Sequence, residues 1–166
     1  MKRKILSMIL TSAMVLSLCI PVNAAPVTTD TDVVLDTIEV GNYKIEILPG
    51  SPSEFMTRDK VLYRADWYEG QDEFEFPMDC VLGEGNAVNV WIDNTQGRGD
   101  LTPIFYLDGA EIADSRLRLP QGQQQTYRIQ NSDKSQMDSH IEVHISSYNY
   151  HMMYFQFAAR QFDYVG

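Results

Sequence analysis

From Val33 onward, apolar side chains recur at every second position over run after run, and this spacing restricts the chain more than anything else in it. Residues two apart project from the same side of a β-strand, so each run has one apolar face that has to be covered. The sets are Val61-Tyr63-Ala65-Trp67, Phe74-Phe76-Met78-Cys80-Leu82, Val88-Val90-Ile92, Leu117-Leu119, Tyr127-Ile129, Ile141-Val143-Ile145 and Met153-Phe155-Phe157-Ala159.

Two short turns sharpen the reading. A two-residue turn at Gly41-Asn42 pairs Val40 with Tyr43 and Ile38 with Ile45 on one face, and sets Glu39 opposite Lys44 on the other. Turn chemistry and cross-strand chemistry agree there. A type I′ turn at Asp108-Gly109 pairs Leu107 with Ala110 and Phe105 with Ile112 in the same way. Further turn-formers stand at Pro49-Gly50-Ser51-Pro52, Gly83-Glu84-Gly85-Asn86, Gly97-Arg98-Gly99, Pro120-Gln121-Gly122, Asn131-Ser132-Asp133 and Tyr148-Asn149-Tyr150. Strands broken at such intervals predict an all-β fold, an antiparallel β-sandwich of about eight to ten strands. It would occupy residues 33–166 as a single domain. One short helix is expected over Ser53–Lys60.

The N-terminus reads differently. Lys2, Arg3 and Lys4 precede an uncharged run from Ile5 to Val22, and Val22-Asn23-Ala24 suits signal peptidase, so residues 1–24 are expected to be a cleaved secretory signal. Leu18 before Cys19 departs from the small residue a lipidated cysteine needs, which makes Cys19 an apolar member of the signal. Residues 25–32 read as a flexible leader. The protein is thus expected to be secreted, with no stable membrane insertion once the signal is gone. Losing 1–24 removes three of 13 basic residues and none of 23 acidic ones, leaving a net charge of −13. Nucleic acid is therefore not an expected partner. Cys80 is then the only cysteine, so no internal disulfide is available, and its place in an apolar set marks it as a buried small hydrophobe.

No Gly-x-Ser-x-Gly, His-Glu-x-x-His, phosphate-loop or Cys-x-x-Cys motif occurs. Residues that could bind something are few. Trp91 shares a strand face with Asn89 and Asp93, where a ring among hydrogen-bonding groups would stack on a sugar or anchor a protein. Tyr148 and Tyr150 flank a turn, and Tyr154, Trp67 and Tyr68 add to the aromatic surface. His140, Glu142 and His144 stand on one strand face, but two histidines four apart lie about 13 Å from each other and cannot share an ion. Metal would need one of them with Glu142 and neighbours such as Asp72 and Glu73. Those two belong to a run of acids, Asp66, Glu69, Asp72, Glu73, Glu75, Asp79 and Glu84, that makes structural calcium conceivable although no cofactor is predicted outright. Arg116, Arg118 and Arg128 could form an anion site, or pair with the acids. Arg98-Gly99-Asp100 matches an adhesion tripeptide built from ordinary turn residues. The expectation is an exported, non-catalytic module that binds a glycan or an extracellular protein. The alternatives are a structural or protein-interaction component of the cell surface, or a hydrolase in which an acid converges with His140, His144 or His151.

Overall fold

The structure, a computed structural model, describes residues 33–50 and 59–165. The expected signal, the leader and nearly all of the helix at 53–60 fall outside the described residues, and Lys60 opens a strand instead. The strands are β1 (Asp36–Val40), β2 (Tyr43–Pro49), β3 (Lys60–Gly70), β4 (Phe74–Asp79), β5 (Ala87–Asp93), β6 (Leu101–Leu107), β7 (Ala110–Ile112), β8 (Gln124–Asn131), β9 (His140–Ser147) and β10 (Met153–Phe162), with a 3₁₀ turn at Ser115–Leu117. Six form one sheet in the order β1-β2-β8-β5-β10-β3, and four form a second in the order β4-β9-β6-β7. The pairings are antiparallel. The fold is a β-sandwich.

Both hairpins have the expected register. Gly41 takes φ +57°, and Asp108 and Gly109 take +49° and +80°, the pair of left-handed residues that a type I′ turn requires. The inner faces interdigitate. Val88, Val90, Ile92, Tyr127, Ile129, Phe155 and Phe157 of the wide sheet are fully buried, as are Leu101, Phe105, Leu107, Ile141, Val143 and Ile145 of the narrow one. Across the interface the Phe76 and Phe157 rings stack, with centroids 3.9 Å apart at 11°.

Three local expectations need correction. Leu117 and Leu119 do not lie in a strand: the chain turns through a 3₁₀ step capped by Asp114, and only Leu119 makes an isolated bridge, to Leu101. Both leucines are nevertheless completely buried, so their spacing reported burial correctly and conformation wrongly. In β3 the odd residues do not share a face. Tyr63 and Tyr68, an odd number apart, both pack inward, and Trp67 is turned out, because the pairing with β10 slips between Phe157 and Ala159 and again between Ala159 and Arg160. Such a bulge adds a residue to one strand and reverses its alternation. Finally, β4 ends at Asp79, and Leu82 beyond it is exposed.

The connections sort to two ends. Those after β3, β5 and β9 and the one before β8 lie at one end, which we call the upper. The β1–β2, β4–β5, β6–β7 and β8–β9 connections lie at the lower. At the lower end the fully buried Gln161 has every amide atom engaged: Nε2 donates to the carbonyls of Val81, Gly85 and Met137 at 3.0, 3.0 and 3.2 Å, and Oε1 accepts from Val81 N at 2.8 Å. One side chain thereby ties the loop after β4 and the loop before β9 to β10. Gly85 sits so close beneath that a Cβ there would fall 2.2 Å from the Phe162 main chain. Gln161→Ala removes four hydrogen bonds to main-chain groups, of which those to Gly85 O and Met137 O are buried. It is expected to lower unfolding free energy by at least about 2 kcal/mol, measured by urea denaturation against wild type.

Candidate functional site

The upper end gathers most of the aromatic and polar candidates because four connections converge there. Asn94, just beyond β5, organises them. It is fully buried, and its Nδ2 lies 2.9, 3.3 and 3.2 Å from the carbonyls of Gly99, Leu119 and Pro120, while its own main-chain oxygen accepts from Gly97 N and Gly122 N. Gly97 is obligatory beside it, since a Cβ would stand 1.7 Å from Asn94 Oδ1.

On the outer face of the wide sheet, paired residues form a row running from Gln124 on β8 through Asp93 on β5 and Gln156 on β10 to Trp67 on β3. Trp67 stacks on Tyr154, centroids 4.7 Å apart and planes 11° from parallel. It is 36% exposed, and Tyr154, Gln156, Asp93 and Gln124 are half-buried. Trp91 does not have the exposure expected of a stacking platform: it is only 9% exposed, and its Nε1 donates to Gln124 Oε1 at 3.2 Å. Its neighbours on that face, Thr126 and Ala158, are buried too, as are Glu46, Arg128 and Gln130, so the centre of this outward face is dry and only its margin is wet. Asn89 stands deeper in the same row of β5, opposite Arg128 and Arg160, and is half-buried.

Tyr148 and Tyr150 occupy the β9–β10 connection, 55% and 91% exposed. Tyr148 lies beneath the Arg118 guanidinium, 3.8 Å from its ring centroid, and borders a hollow of about 310 Å³ with Thr102, Ile104, Asp114, Ser115 and Arg118. Two buried polar atoms there, Thr102 Oγ1 and Arg118 Nε, have no hydrogen-bond partner. The three arginines do not form an anion site. Arg116 pairs with Asp114, Arg118 with Asp100 and Arg128 with Glu46. The Asp100 carboxylate also accepts from Gln121 N at 2.9 Å, and these two contacts hold its pKa below the ordinary value. An adhesion tripeptide must present that carboxylate outward, whereas here it is engaged within the chain.

The histidine face belongs to the narrow sheet. His140 Nδ1 lies 2.7 Å from Asp79 Oδ1 near the lower end, while His144 has its own acids: Nδ1 is 3.3 Å from Glu73 Oε1 and Nε2 is 3.0 Å from Glu142 Oε1. The two histidines serve separate clusters, as the strand spacing requires. Burial pulls the His144 pKa down, but Glu142 and Glu73 outweigh it and the net shift is upward. Glu75, which pairs directly across from His144, completes a set with Glu73 and His144 whose ligand atoms lie within 4.8 Å of one another. Asp72 is exposed in the turn and not part of that set. Spacing holds the signal for Glu75, since it stands two residues after Glu73, which precedes β4.

Cys80 is buried and free, and burial raises its thiol to about 11. A nucleophilic cysteine needs its pKa lowered by a neighbouring base or cation, and this one has carboxylates nearby instead. Among the described residues no helix is long and apolar enough to cross a membrane. The chain matches no protein-family model, no curated protein and no solved structure.

Labelling checks the thiol assignment. At pH 8 the native protein is expected to leave a disulfide-exchange reagent unreacted at Cys80, with one equivalent released on unfolding in guanidinium.

Proposed function

We propose that the domain is an exported, non-catalytic binding module that holds a glycan across the Trp67–Tyr154 pair at the upper margin of the wide sheet. The observation that carries this reading is an already stacked aromatic pair, Trp67 exposed and Tyr154 half-buried, continuous with a row of hydrogen-bonding side chains, Gln156, Asp93 and Gln124. A sugar ring has apolar C–H faces and a polar rim of hydroxyls, so its recognition calls for a flat ring under it and amide or carboxylate groups beside it. Stacking on Tyr154 fixes the indole before any ligand arrives, which reduces the ordering cost of binding. Tyr148 and Tyr150 stand on the neighbouring connection, where a longer chain would extend.

The two tryptophans make the reading directly measurable. Trp67 is the solvent-reached one and Trp91 the covered one, so in Trp91→Phe the remaining emission comes from Trp67 and should be readily quenched by acrylamide. A glycan array probed with wild type is expected to give discrete hits. Trp67→Ala should weaken those hits about tenfold or more, the loss of roughly 1.4 kcal/mol of stacking, while Trp91→Phe retains them. A silent array, or hits indifferent to Trp67, would count against a glycan ligand.

A further inference from the structure

On the other sheet, we propose that Glu73, Glu75 and His144 bind one transition-metal dication of the zinc type. The donors come from register: Glu75 on β4 faces His144 on β9 directly across the ladder, and Glu73 lies two residues back on the same side. Their ligand atoms all fall within 4.8 Å. Two donors each about 2.1 Å from a zinc ion stand no more than about 4.2 Å apart. Both glutamates are exposed, so a change of side-chain torsion closes the difference without moving a strand.

The imidazole is held for such a role from its far side. Nε2 is sealed from solvent, with Glu142 Oε1 at 3.0 Å but no partner in hydrogen-bonding alignment, and the Tyr106 ring packs on the imidazole at 4.6 Å. Nδ1 is the nitrogen turned toward Glu73. Metal-bound histidines are commonly oriented by a carboxylate at the second ring nitrogen, and Glu142 stands where that group belongs.

Charge points the same way. Three carboxylates, Glu73, Glu75 and Glu142, crowd one imidazole, and among the described residues no lysine or arginine lies within ion-pair distance of them. Like charges so placed repel, and a dication removes the repulsion. The donor types choose among ions. Calcium and magnesium take oxygen ligands alone, whereas one nitrogen with carboxylate oxygens suits zinc and its first-row neighbours. Three protein donors leave a fourth position for water.

The test uses untagged protein stripped with chelator, then dialysed against Zn²⁺ or Ca²⁺, with bound metal counted by atomic emission. One zinc per chain and no retained calcium are expected. His144→Ala and Glu75→Gln should each weaken zinc binding at least about tenfold, a loss as large as second-sphere changes alone produce. His140→Ala, which removes a more exposed histidine paired to Asp79, should leave it unchanged. Absence of zinc, zinc uptake indifferent to Glu75→Gln, or calcium held as well as zinc would each overturn the assignment. Because Glu75 is exposed, its variant keeps the test decisive even if His144→Ala disturbs the fold.

Discussion

Contact between two apolar faces, with no disulfide among the described residues to reinforce it, is what the molecule rests on. Phe76 and Phe157 mark its centre, one ring from each sheet lying flat against the other. Around them aromatic edges fill the remaining space: Tyr63 meets both rings edge-on, and Tyr68 and Phe74 enclose Phe155. Dense aromatic packing of this kind holds the two sheets together where Cys80, the cysteine among the described residues, is free. It also explains the bulge in β3, since only a slip in register lets both Tyr63 and Tyr68 reach inward.

How much of this could be read from residues alone varied with how local the cause was. Hairpin registers were legible because a two-residue turn fixes every later pair, and both were right to the residue. Leu117 and Leu119 misled because alternation of two residues fits a 3₁₀ turn as well as a strand. Trp91 misled for a different reason. Periodicity identifies the side of a sheet a residue is on, yet whether that side is wet depends on segments far away in sequence, and here Trp67, two strands over, is the ring that reaches solvent. Gln161 continues the inward series of Met153, Phe155, Phe157 and Ala159, so a polar residue on an apolar face was visible, although its four partners were not. Asn94 carried no such signal; it looks like any turn asparagine.

Electrostatics divides the surface further. The acidic excess is not spread evenly: guanidinium groups neutralise Asp100, Asp114 and Glu46 one by one, while Glu73, Glu75 and Glu142 share a single imidazole. The narrow sheet therefore carries a locally unbalanced negative field, and the wide sheet's margin carries two amides and one carboxylate, Asp93, beside its rings. The two faces of one small sandwich thus differ in chemistry, and neither depends on the other's side chains.

Asn94 governs the upper end in a particular manner: its amide speaks only to main-chain carbonyls, those of Gly99, Leu119 and Pro120. What it demands of the converging segments is a path through space. Apart from Gly97, whose hydrogen cannot become a methyl, and from Asp100 and Leu119, which are engaged or buried, the Asn94 contacts themselves ask nothing of the side chains along those paths. Shape at that pole is therefore inherited from the backbone, so exposed side chains there can change while the architecture beneath stays as it was.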